Sequence, residues 1–464
     1  MIAEKFPIDN KYIFSFILSI MFIAIIGSYI DNNISIFTLS LIFIIFGSLF
    51  TVLINRRENI RNSVSLFLLF FLIYLFYTFI IHFGLIEVYN TPFPFMESDE
   101  GFFYEGSKDV CYKLQIGYNF FDITKVDGYA DTSGALYFNG YIALLANYFE
   151  QNSILAQKTA VVLISALIPM MMYSISRLYF SEKISFYIAI IYGVFSFIPY
   201  LSSILLRDVH IALMFIISIY IILEKLSILN LLILFCAFFW SYYLREQTGI
   251  FMMGFLSIYL FSFINSYIKN NYIKTLIYLV LIVMAIVIIV NSDELMKMFT
   301  TILEDSSERN SEQASTSSMG AKMAKLPFGL NYIALLGFGQ IQPFPPSLIF
   351  LSKKGMFHFT YLIAGVAWFF GWGFLLYGIF SKKILKNLDL KLNFMFFLSI
   401  IYLILVSIIE FNQRRQVPVY PILYLVMTIS FFEMNITERT KIWVSMLLLY
   451  TALVLIINYM KVLS

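Results

Sequence analysis

Two adjacent carboxylates, Asp99 and Glu100, stand in the stretch Glu97-Ser98-Asp99-Glu100-Gly101-Phe102-Phe103-Tyr104-Glu105, at the head of a polar segment that follows a long apolar run. A carboxylate at such a boundary meets water and lipid headgroups together. It is suited to general-base work, taking a proton from a hydroxyl as that hydroxyl attacks a carbon bearing a phosphate leaving group. The side chain best matched to the departing phosphate is arginine, whose planar fork fits phosphate oxygens and stabilises their charge. Four arginines border apolar segments: Arg207 before Asp208, Arg245 before Glu246, and Arg414 with Arg415 ahead of Pro418-Val419-Tyr420-Pro421. Each feature also has a plainer reading. Acids favour the first turn of any helix, and a single basic residue at a membrane boundary is commonly an anchor that snorkels to the headgroups. Four arginines beside carboxylates favour the chemical reading.

Asp208, His210, Glu246, Lys322 and Lys325 are further candidates for the same pocket, His210 because it lies one turn from Arg207. The chain has three histidines (His82, His210, His358) and two cysteines, Cys111 and Cys236, with neither a disulfide framework nor a metal spacing. No residue is assigned as a metal ligand.

These residues need a frame to hold them. With 60% hydrophobic and 13% charged residues, 51 Phe and 32 Tyr in 464, and a mean hydropathy of +0.84, no water-soluble packing would hide the apolar surface, whereas a bilayer solvates it. The expected fold class is all-α and polytopic, one transmembrane domain over residues 1–464. Apolar windows fall near 12–30, 35–54, 63–83, 156–176, 185–204, 208–223, 228–244, 248–267, 275–291, 358–380, 393–409, 418–432 and 442–460, which predicts about 11 to 13 spans of about 20 residues each. The stretch Met1 to Lys11 carries charges of both signs before the first window and is expected to lead an uncleaved signal-anchor.

Sidedness follows from lysine and arginine. With a cytoplasmic N-terminus, connections holding Arg56, Arg57, Arg61, Arg177, Lys183, Lys225, Lys269, Lys274, Lys382, Lys383, Lys386, Lys391, Arg439 and Lys441 all face inward. A first outward loop, residues 84–155, then has ten acids against three lysines. A second, residues 292–357, opens on a Ser/Glu-rich stretch and turns Pro-rich at Pro343, Pro345 and Pro346. The four arginines share the outward level, and the segment interiors read as almost uncharged. The helix begun by Phe102, Phe103 and Tyr104 is expected to lie along the interface with its aromatic face in lipid.

In order and sidedness, Ser98-Asp99-Glu100 with its aromatic helix, Leu205-Leu206-Arg207-Asp208, Leu244-Arg245, and Arg414-Arg415 with Pro418-Val419-Tyr420-Pro421 resemble the GT-C superfamily of polytopic glycosyltransferases, which includes protein O-mannosyltransferases and aminoarabinose transferases. The resemblance implies inverting transfer of a sugar from a polyprenyl-phosphate-linked donor to a glycan, lipid or protein acceptor, outside a bacterial-type inner membrane, on the periplasmic or exterior face. Asp99 would be the base with Glu100 assisting, and Arg207, Arg245 and Arg414 or Arg415 would hold the polyprenyl phosphate. Some members use a divalent metal and others none, so a divalent metal stays open as a cofactor. Membrane lipids are implied partners, and nucleic acid is not.

The family's acidic pair commonly follows the first transmembrane helix, whereas here two additional segments precede it. An O-antigen or capsule repeat-unit polymerase acting on undecaprenyl-pyrophosphate glycans is the second reading, carried by Gln342-Pro343-Phe344-Pro345-Pro346. A lipid-linked glycan transporter is the third. It calls for ionisable residues near the bilayer midplane.

Overall fold

A computed structural model describes residues 10–55, 60–93, 97–130, 132–270, 359–409 and 413–463, with the isolated positions Tyr272, Leu330, Ala334, Gly337, Gln340 and Phe357. Among the described residues there are helices and turns and no strand. Among the described residues eight helices are long and apolar enough to cross a membrane, the architecture of a polytopic membrane protein.

Three helices come first, α1 (Asn10–Ile30), α2 (Ile34–Ile54) and α3 (Ile60–Tyr89). The first polar excursion folds as α4 (Glu97–Gln115), the single turn α5 (Phe120–Ile123) and α6 (Ser133–Phe149). Next are α7 (Ile154–Ser176), α8 (Glu182–Phe195), α9 (Ile198–Ser202), α10 (Asp208–Leu223), α11 (Ile228–Leu244) and α12 (Glu246–Tyr267). The C-terminal group is α13 (Phe359–Phe380), α14 (Leu390–Ile409), α15 (Tyr420–Glu433) and α16 (Ile436–Leu463). Every apolar window read from the sequence coincides with a helix or a helix pair, except 275–291, which lies outside the described residues. The second excursion, 292–357, also lies outside them apart from the isolated positions.

The window 185–204 is two helices rather than one. Pro199 sits at the start of α9, and Ser196 ahead of it is extended at φ −90°, ψ 178°. Proline brings no N–H to continue the hydrogen bonding of α8 and suits the first turn of a new helix. The Ser196 hydroxyl accepts the freed Ile198 N–H at 3.3 Å, so the break costs little.

At the centre stands α7, buried over nearly its whole length and packed by α2, α3, α6, α8 and α10. Its small residues, among them Ala156, Ala160, Ser165, Ala166 and Ser174, let neighbouring backbones approach closely. The outer helices are the reverse. In α1, Phe14, Phe22 and Tyr29 are exposed, as are Leu448 and Leu455 in α16, apolar surfaces that lipid solvates.

The two ends of the bundle differ chemically. At one, Lys391 donates to the Ile222 carbonyl at 2.7 Å, Lys382 pairs with Glu438 at 2.8 Å, and Arg439 lies 4.2 Å from the centre of the Phe431 ring. At the other, the α1–α2 turn is tied to the segment before α7 by Asn33 Nδ2 donating to the Gln151 carbonyl at 3.1 Å and Ser153 Oγ donating to Asp31 at 3.0 Å. The acidic pair and the four arginines belong to this second end.

Candidate functional site

The chain leaves α3 through Asn90 in the left-handed conformation, φ 56°, which asparagine tolerates better than most residues. It re-enters helix at Glu97. Along α4, Glu100, Phe103, Ser107, Val110 and Cys111 are buried, one face at helical spacing. That face packs on α6, where the absence of a side chain at Gly140 admits Val110; a Cβ there would lie 2.5 Å from Val110 Cγ1. The aromatic residues expected to face lipid are divided: Phe103 packs inside the protein, Tyr104 is half-buried and Phe102 is exposed.

Consecutive helical residues point about 100° apart, and the acidic pair divides accordingly. Asp99 faces Arg414, its Oδ2 accepting from Nη2 at 2.5 Å, and remains 42% exposed. Glu100 turns inward. Its Oε1 lies 3.3 Å from Lys158 Nζ and accepts the Leu205 N–H at 2.8 Å. Glu100 is absent from the walls of the cavity described below and joins α4 to Lys158 and to the Leu205 N–H.

Leu205 belongs to the non-helical strap 203–207 between α9 and α10, whose backbone donors need partners outside a helix. Arg207 ends the strap and donates through Nη1 to the Leu244 carbonyl at 3.0 Å, an orphan acceptor at the end of α11. Asp208 opens α10, where an acid suits the helix dipole. It pairs at 3.1 Å with Arg245 Nη2, and both side chains are almost fully buried. Arg245 itself joins α11 to α12 in extended backbone, φ −168°, and its carbonyl accepts from Thr248 Oγ1 at 2.7 Å. Arg414 and Arg415 lie on a short 3-10 turn before α15. Tyr402 donates its hydroxyl to the Arg415 carbonyl at 2.9 Å, and Gln416 is bonded to Ser407 at 3.1 Å and to Gln340 at 3.1 Å.

These segments enclose a cavity of about 530 Å³. Its walls are Asp99, Asp208, Arg207, Arg245, Arg414 and Arg415, with Phe102, Phe103, Thr132 and Leu206 completing the lining. Four guanidinium groups thus face two carboxylates, and Asp208 interacts electrostatically with all four arginines. Arg245 Nε is buried and meets no acceptor, which leaves a donor in a cationic wall for an anionic ligand. The arrangement suits an oxyanion with several oxygens, placed beside a part-exposed carboxylate.

The remaining candidates stand elsewhere. His210 is buried in the first turn of α10 with its ring 4.9 Å from that of Phe138, edge to face, outside the lining. Glu246 accepts from Tyr242 at 3.4 Å, also outside it. Lys322 and Lys325 lie outside the described residues. Among the described residues, no group of three or more His, Cys, Asp or Glu side chains is placed to hold a metal ion.

Sequence reasoning missed Lys158. It sits within the window 156–176, so the segment interiors are not as free of charge as they read, and its burial is matched by Glu100. A lone lysine at the head of an apolar run was the available signal, since a buried charge in a membrane helix needs a named counter-charge. Comparison with protein-family models, curated proteins and solved structures finds no match to this chain.

Proposed function

We propose that the chain is a GT-C-like membrane glycosyltransferase of about 11 to 13 spans, moving a sugar from a polyprenyl-phosphate-linked donor to a glycan, lipid or protein acceptor. The reading places it in a bacterial-type inner membrane with the arginine end facing outward, as the lysine-rich opposite end favours under the positive-inside rule. The observation that carries it is the cavity itself, where Asp99 and four arginines from three distant parts of the chain line one space.

In this mechanism the donor phosphate sits among Arg207, Arg245, Arg414 and Arg415. The acceptor oxygen attacks the anomeric carbon from the face opposite the phosphate, and Asp99 takes the hydroxyl proton as the new carbon–oxygen bond forms. The bond from the anomeric carbon to the phosphate oxygen breaks, its electron pair leaves with the polyprenyl phosphate, and the arginines stabilise that charge. The anomeric centre inverts, and Asp99 gives its proton to water as product departs.

The second reading, a repeat-unit polymerase, draws on the density of guanidinium groups, which also suits the two phosphates of a polyprenyl-pyrophosphate leaving group. One experiment separates them. The purified protein is reconstituted with a polyprenyl-monophosphate sugar or with a polyprenyl-pyrophosphate oligosaccharide, and products are read by mass spectrometry. An acceptor one sugar heavier, with free polyprenyl phosphate, is the expected result. A ladder of repeat units from the second substrate establishes the polymerase, and no product from either, with acceptors of all three classes supplied, overturns both.

A further inference from the structure

We infer that Lys158 is a positioning residue for Asp99, acting through Glu100. Lys158 lies in the second turn of α7, 1% exposed, with Nζ 3.3 Å from Glu100 Oε1. The same oxygen accepts the Leu205 N–H at 2.8 Å. One carboxylate atom therefore joins three segments: α7 through Lys158, the start of α4 that carries Asp99, and the strap that carries Arg207 and leads to Asp208.

The grip has a second point. Gln157, beside Lys158, donates to Ser107 Oγ at 2.7 Å and to Asn152 Oδ1 at 3.1 Å. Glu100 and Ser107 are two turns apart on one face of α4. The head of the most deeply buried helix in the bundle thus holds α4 at two places along its length, which fixes both its position and its rotation. Rotation matters because Asp99 and Glu100 diverge by about 100° around the axis: with Glu100 pinned inward, Asp99 must point at the cavity and Arg414.

The charge on Lys158 is what keeps Glu100 there. Lys158 also acts electrostatically on His82 of α3, which offers it no negative charge in place of Glu100. A buried carboxylate without its counter-charge takes up a proton or turns toward water. Turning would release the Leu205 N–H and the first turn of α4 together, so the two walls of the cavity would lose their common reference. Lys158 touches neither cavity nor ligand.

The test uses the full chain in lipid nanodiscs, with Cys236→Ser removing the exposed thiol and nitroxide labels at Glu105→Cys on α4 and Tyr242→Cys on α11. Distances are measured by pulsed electron spin resonance in the parent, in Lys158→Met, and in Lys158→Met/Glu100→Gln. The double variant removes the charge pair but keeps an oxygen for Leu205 N–H, and it guards against simple misfolding of the single one. Lys158→Met should broaden or shift the α4–α11 distance, and the double variant should restore the parental distribution.

Turnover of a polyprenyl-phosphate sugar forms the second arm, which alone rests on the function proposed above. Lys158→Met should lower kcat by about 10- to 100-fold, the cost of misplacing a reacting group by about 1 Å, with donor KM within about threefold. An unaltered distance in folded Lys158→Met overturns the inference, as does a loss confined to KM or to thermal stability. If the parent itself transfers no sugar, the functional reading falls and the distance arm alone decides on Lys158.

Discussion

Asp99 and Arg414 are 315 positions apart in the chain and meet at 2.5 Å across the mouth of the arginine-lined cavity. The carboxylate proposed as base is thus engaged by a guanidinium proposed for the donor phosphate. An incoming phosphate would compete with Asp99 for Arg414, and winning that contact would free the carboxylate beside the acceptor.

Replacing Asp99 by Asn should therefore do two opposite things. Turnover should fall by about 100-fold or more, the scale of losing a general base, while affinity for undecaprenyl phosphate rises. Asp99 is 42% exposed, so the pair it forms is solvent-screened and worth about 0.2–1 kcal/mol, a tightening of about 1.5- to 5-fold. Titration of the lipid phosphate by native mass spectrometry measures this. Tightening that persists when Arg414→Gln is also present would show general repulsion rather than competition for Arg414, and undiminished turnover would remove Asp99 as base.

Arg207→Ala should weaken binding of the same lipid by about 10- to 150-fold, a charge-assisted hydrogen bond being worth about 1.5–3 kcal/mol. The dependence of affinity on salt should become shallower as well, because one cation fewer meets the phosphate. Unchanged affinity with lowered thermal stability would make Arg207 a tie to the Leu244 carbonyl and nothing more.

The Asp208–Arg245 pair is almost completely buried, and removing one partner leaves a charge without compensation. Asp208→Ala should cost about 3–5 kcal/mol of stability. Thermal unfolding in detergent would show it, and pyrophosphate or a lipid phosphate should recover part of the loss by neutralising Arg245. A variant as stable as the parent would mean that water reaches this pair freely.

Cys111 reports on the contact between α4 and α6. Burial pushes its thiol above the ordinary range, the Asn147 amide opposing this in part, so it should react slowly with a soluble maleimide at neutral pH. Gly140→Val inserts atoms where even a Cβ would lie 2.5 Å from Val110 Cγ1, and such overpacking costs about 1–3 kcal/mol. Cys111 labelling should accelerate in Gly140→Val, and an unchanged rate would show that α4 does not depend on this approach.

Much of the bundle was legible in the sequence because hydropathy reports directly on what a bilayer will solvate. The window 208–223 coincides with α10 and 228–244 with α11, each bounded by polar or charged residues. Arg207, Arg245, Arg414 and Arg415 were legible as outliers, charges at a boundary where apolar residues were the rule. What hydropathy does not encode is rotation and partner choice. Nothing in the order Asp99-Glu100 says which carboxylate faces a cavity, since that depends on Lys158 and Leu205, distant in sequence and near only after packing. The break between α8 and α9 was visible as Pro199, yet a continuous apolar run hid it.

The burial of α7 bears on how the chain is made. A helix enclosed by α2, α3 and α6, all synthesised before it, and by α8 and α10, synthesised after it, has no lipid-facing side of its own in the finished protein. On leaving the translocon it must be received by the earlier helices while its other side still waits for partners, with Lys158 already seeking Glu100 of α4. The growing chain thus passes through a stage, after α7 and before α10, in which this lysine-bearing spanning helix is half covered. An insertase or chaperone that shields such a face would act within that interval.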